Sequence, residues 1–125
     1  MSATILAVVD DIFFLAKIQQ AARHLGDVTV EPAAPDALQE KLAGNAAHAL
    51  VVDLNHGSGQ AIAVLENIRN HPSTRSIPVV AFVSHVQTDL VQAARAAGCE
   101  RVMARSAFSQ QLPMLLRELS KEDND

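Results

Sequence analysis

The sequence predicts an α/β domain, a doubly wound parallel sheet of five strands with five helices laid over its two faces. Three observations carry this. Short unbroken apolar runs recur at residues 5–9, 49–52 and 77–83, the pattern of strands covered on both faces. Between them lie segments with apolar residues at helical spacing. The two kinds alternate one for one, and right-handed crossovers then build a single parallel sheet.

Taken in order, Ile5-Leu6-Ala7-Val8-Val9 is the first strand and stops at Asp10 and Asp11. Leu15, Ile18, Ala22 and Leu25 mark the first helix, which Gly26 ends. Val28-Thr29-Val30 is a short second strand, and Pro35 stands near the start of a helix carrying Leu38 and Leu42. The third strand is Ala49-Leu50-Val51-Val52-Asp53, and Ile62, Leu65 and Ile68 form the helix after it. Residues 77–83 are the fourth strand, with Pro78 early, where a missing N–H does least harm. Leu90, Ala93, Ala94 and Ala97 line the fourth helix, and Arg101-Val102-Met103-Ala104 is the fifth strand, with Cys99 at its buried start. Leu112, Leu115, Leu116 and Leu119 line a last helix with Ser109 as its N-cap and Pro113 near its first turn. Residues 1–121 make one domain and 122–125 a polar tail; the tail from Lys121 onwards is expected to fray.

Composition narrows the function. The chain has 125 residues, 49% hydrophobic and 19% charged, enough for one full core. A net charge of −4 gives no footprint for nucleic acid or anionic lipid, and the absence of Trp and Tyr removes stacking platforms. No apolar run approaches the length that spans a bilayer. With a single cysteine and no basic-then-apolar leader, the expected location is cytoplasmic.

Asp53 is the first candidate for chemistry, because open α/β sheets bind ligands beyond the carboxyl ends of their strands. If strands one and three are neighbours, Asp10, Asp11 and Asp53 converge there. Three close carboxylates repel one another unless a cation neutralises them, and Mg²⁺ with its preference for oxygen ligands suits that role. The Asn55 carbonyl, two residues past Asp53, is placed to add a ligand. The competing reading is structural, with Asp10 and Asp11 capping the first helix and Asp53 capping the next.

These segments resemble the receiver domains of bacterial two-component response regulators. Ile5-Leu6-Ala7-Val8-Val9-Asp10-Asp11 is similar to the opening strand and acidic pair, and Val51-Val52-Asp53-Leu54-Asn55 to the phosphoacceptor strand. Residues 61–82, with Arg69, His71-Pro72, Thr74-Arg75 and Ile77-Pro78-Val79-Val80, resemble the third helix and fourth strand, and Ala96-Ala97-Gly98-Cys99 the turn into the fifth. The resemblance implies a flavodoxin-like sheet of order 2-1-3-4-5. It also implies transfer of a phosphoryl group from a histidine kinase or phosphotransfer protein to Asp53, with Mg²⁺ held by Asp11, Asp53 and the Asn55 carbonyl and Asp10 acting through water. Such a domain is a substrate and slow self-phosphatase, not an ordinary enzyme. It passes its state to a downstream protein target, often through a helix 4, strand 5, helix 5 face that also makes homodimers; Arg95 and Arg101 lie there.

The chain departs from the family where the phosphoryl group would be held. Val83 stands at the Thr/Ser position, with Ser84 adjacent and expected to point away, and Arg105 stands at the Lys position. Arginine keeps the charge in a broad planar fork, which is free to pair with Asp53 and close the site without phosphate. Ser106 replaces the usual proline, and Val102 replaces the aromatic that rotates on activation. Two readings follow: a metal-dependent phosphoacceptor with an altered output, or a phosphorylation-independent pseudo-receiver that works by protein binding. A small phosphatase with an aspartyl nucleophile is disfavoured because no second acid follows Asp53 at two residues and the chain leaves no room for a cap domain, and a dinucleotide fold because Asp10-Asp11-Ile12 stands in place of a glycine-rich turn. His56 is read as a loop residue, Cys99 as core, and of Phe13 and Phe14 only one can face inward.

Overall fold

In the computed structural model, which describes residues 3–44, 47–84 and 87–121, strand and helix alternate as far as β5, after which two helices follow. The elements are β1 (Ala3–Val8), α1 (Ile12–Leu25), β2 (Val28–Pro32), a 3₁₀ turn (Pro35–Ala37) leading into α2 (Leu38–Gly44), β3 (Ala49–Asp53) and α3 (Ala61–Asn70). They continue as β4 (Val79–Val83), α4 (Thr88–Ala96), β5 (Arg101–Ala104), α5 (Arg105–Gln110) and α6 (Leu112–Leu119). All four strand pairings are parallel, and the order is β2-β1-β3-β4-β5. The anticipated tail, 122–125, lies outside the described residues.

Alternation along each strand divides the core in two. Ile5, Ala7, Val51, Val80 and Phe82 face α1, α5 and α6, where Phe14, Ile18, Phe108, Leu115 and Leu116 close over them. Leu6, Val8, Leu50, Val52 and Ala81 face Leu38 of α2, Val64, Leu65 and Ile68 of α3 and Ala94 of α4. β1, β3 and β4 are buried nearly throughout, which is why they read as unbroken apolar runs. β5 differs from expectation: Cys99 just before it is buried, but the strand is an edge, with Arg101 and Ala104 exposed.

The last helix also differs. Helix resumes at once after β5, at Arg105, and Ser109 is an interior residue of α5, not an N-cap. Gln111 (φ −100°, ψ 12°) then breaks the run before α6. Pro113 supplies the cause: it has no N–H for the carbonyl four residues back, and its ring crowds that carbonyl. Among the described residues six α-helices stand where five were expected.

At the amino-terminal rim of the sheet one side chain ties three segments together. Arg69 donates from Nε to the Gly98 carbonyl (3.0 Å) and from a terminal nitrogen to the carbonyls of Arg75 and Ile77 (2.6 and 3.2 Å). Gly98 has φ +100°, and a Cβ there would meet the Arg69 stem at 2.5 Å, so both conformation and space require glycine.

Candidate functional site

Register fixes which residues meet at the opposite, carboxyl-terminal rim. Val8 pairs with Val52, Asp53 with Phe82, and Val83 with Ala104. The segments that leave these strands therefore share one rim: Asp10 and Asp11 after β1, Asp53 and Asn55 at the end of β3, Ser84 after β4, and Arg105 after β5.

Asp53 is the last residue of β3 and only 4% exposed. Its Oδ1 accepts the Asn55 backbone N–H at 2.8 Å, a local turn that satisfies one carboxylate oxygen. Burial pushes its pKa above the ordinary value; the Asn55 N–H and the positive charge of Arg105 pull the other way, and Asp10 adds to the rise. Burial dominates, as expected for a carboxylate taken out of water beside a second one.

Asp10 and Asp11 part company. Asp10 is exposed, and its Oδ2 accepts the Gly57 N–H at 2.9 Å, across the loop after β3. A Cβ at Gly57 would come within 2.7 Å of that oxygen and would push the exposed carboxylate aside. Asp11 caps α1, its Oδ1 accepting the N–H groups of Phe13 and Phe14 at 3.0 and 3.1 Å. Its other oxygen, Oδ2, takes a hydrogen bond from the Arg105 guanidinium at 2.8 Å. The guanidinium bond and the capping N–H of Phe14 hold the Asp11 carboxyl below its usual range.

Arg105 thus pairs with Asp11, and not with Asp53, the pairing its charged fork had left open. Its guanidinium carbon lies 4.0 Å from the centre of the Phe14 ring. Phe14 in turn meets Phe82 edge-on at 5.1 Å, and Phe82 stacks on Phe108 at 4.9 Å. Of the two phenylalanines at the start of α1, Phe14 is buried and Phe13 is 83% exposed. Asn55 acts through its side chain: Oδ1 accepts the Ser84 N–H at 2.7 Å and Nδ2 donates to Gln87 Oε1 at 2.6 Å, linking the loops after β3 and β4. Val83 is buried against the α3 side, and Ser84 is exposed. His56 is half-buried, its Nδ1 2.8 Å from Ser58 Oγ. Gly57, Gln87 and the Phe14 ring escaped sequence reading. Only the glycine beside the acidic loop offered a signal.

The donor set does not fit a divalent ion as it stands. Among the described residues no three His, Cys, Asp or Glu side chains are grouped to hold one, and both oxygens of Asp11 already have partners. The three acids share a rim without sharing a centre.

No protein-family model matches the chain, and no curated protein sequence is significantly similar to it. Solved structures are. A chain from Chloroflexus aurantiacus assigned as a response regulator superposes with a TM-score of 0.83 at 21% identity, covering 95% of this chain and 98% of that one. The chemotaxis response regulator CheY4 of Vibrio cholerae gives 0.80 at 17% identity, covering 95% and 99%. The Mn²⁺-bound form of the response regulator Rcp1 gives 0.76 at 16%, covering 98% and 97%. The chain has the fold of response-regulator receiver domains, a five-stranded parallel sheet of order 2-1-3-4-5. No helix among the described residues is long and apolar enough to cross a membrane.

Proposed function

We propose that this chain is a receiver-type signalling module that works by docking on a partner protein, without phosphorylation of Asp53. The observation that carries the reading is the Arg105 guanidinium on Asp11 at 2.8 Å. Phosphoryl transfer to a carboxylate needs positive charge arranged around the incoming oxygens and a donor to hold them afterwards. Here one acid is already neutralised from within. The Val83 side chain has no hydroxyl, and a missing hydrogen bond to a charged group is worth about 1–3 kcal/mol. The histidine kinase, phosphotransfer protein or downstream target that receivers meet remains the class of partner expected, with α4, β5 and the last helix, α6, as the surface for a target or a second copy.

A second reading, Mg²⁺-assisted transfer from a histidine kinase to Asp53, is favoured by one feature. Asp53 sits at the carboxyl end of the central strand with its acidity weakened by burial, which makes its carboxylate more basic and more nucleophilic.

One experiment separates the two. The chain is incubated with a small acyl-phosphate donor and Mg²⁺, and its intact mass is recorded beside that of Asp53→Asn. The expected result is no phosphoryl adduct on either. An adduct on the wild type that disappears in Asp53→Asn establishes the second reading and removes the first.

A further inference from the structure

One cation stands among the acids of this rim, Arg105 on Asp11. We propose that Arg105 is the site's own counter-ion: tethered where β5 passes into α5, its guanidinium holds Asp11 in the role a metal ion would fill and keeps metal ions out. The inference deepens the phosphorylation-independent reading and rests on it.

Three features argue for a built arrangement and not a chance surface pair. Asp11 is engaged on both oxygens, by two backbone N–H groups on one and by Arg105 on the other, so a metal would have to displace the guanidinium to reach it. The Arg105 guanidinium is held on a second side as well, because it lies over the Phe14 ring, and Phe14 is fixed by Phe82 and Phe108. An exposed ion pair between two free side chains contributes little. This one joins a capping carboxylate to a stacked cation, both already ordered by other contacts. Finally, the Arg105 charge also reaches Asp53, so one guanidinium offsets two of the three acids, while Asp10 is turned to the Gly57 N–H.

Arg105→Gln removes the charge and leaves Asp11 to be claimed by a metal. The test is a Mn²⁺ titration of the full chain followed by paramagnetic broadening of amide signals in two-dimensional NMR. In wild type the amides of Val9, Asp11, Asp53 and Gly57 are expected to broaden only together with other surface acids. In Arg105→Gln the same amides broaden selectively at a Mn²⁺ concentration about tenfold lower, the effect of removing a like charge roughly 4 Å from the ion at a solvent-facing site. The added change Asp11→Asn abolishes the gain.

Equal selective broadening in wild type and Arg105→Gln overturns the proposal. So does a folded Arg105→Gln chain that gains no site. If Arg105→Gln does not fold, Arg105→Met, which keeps an apolar stem against Phe14, is held to the same two outcomes. A phosphoryl adduct on wild-type Asp53 would remove the reading of function and leave this titration to judge Arg105 alone.

Discussion

Asp53 carries its charge at a cost. Because burial raises its folded pKa above the ordinary value of 3.8, the ionised side chain opposes folding at neutral pH. The folded chain binds the proton more readily than the unfolded one, so this contribution to stability falls as pH rises through the folded pKa and recovers as pH drops back towards the ordinary value. Asp53→Asn, which keeps an oxygen for the Asn55 N–H, is therefore expected to raise the melting temperature at pH 7 by about 3 °C, the worth of roughly 1 kcal/mol in a domain of this size. The gain should shrink as pH is lowered through the folded pKa. Thermal unfolding of both chains by far-ultraviolet circular dichroism at two pH values checks it, and an equal gain at both would contradict the burial argument. Much at this scale was readable beforehand: an apolar run ending in Asp53 announced a strand-end acid, and Asp11 was already weighed as a helix cap. The partner of Arg105 was not readable. Asp11 lies 94 residues away, and nothing local tells a guanidinium which of three carboxylates to choose.

α5 shows what an element needs when its sequence offers little. Six residues cannot sustain an isolated helix, the N-cap Ala104 provides no side-chain hydrogen bond, and Phe108 is the only buried residue of the six. Tertiary packing on Phe82 must hold it. Phe108→Ala is expected to cost about 3–5 kcal/mol through the lost burial and the cavity left behind. Urea unfolding followed by circular dichroism would show this as a lower midpoint; intrinsic fluorescence is no substitute in a chain without Trp or Tyr. A loss below about 1 kcal/mol would mean that α5 is held by something other than this ring. The same poverty of local signal explains the misplaced start. Ser109 had the chemistry of a cap and Ala104 had none, so sequence reasoning began the helix at the serine. Pro113 was read as lying near the first turn of the last helix, and it does so in α6, where Gln111 stands at the N-cap in place of Ser109.

Across the whole molecule the sheet is graded, from fully covered strands at its centre to a half-open strand at one edge. Amide exchange should follow that gradient: protons of β1, β3 and β4 exchange only when the domain unfolds, while those of β5, with Arg101 and Ala104 exposed, exchange through smaller openings. Hydrogen exchange resolved by residue tests this, and uniform protection across all five strands would refute it. The architecture was the most legible property of all, because strand-length apolar runs and helical spacing repeat over the entire chain. It is also what survives in the solved structures, where 16–21% identity accompanies TM-scores of 0.76–0.83. The two rims, by contrast, are each governed by one arginine. At the amino-terminal rim Arg69 gives three hydrogen bonds to the carbonyls of Gly98, Arg75 and Ile77 and so satisfies them. There the arginine serves as a tie between loops, whereas at the opposite end Arg105 stands as a cation among acids.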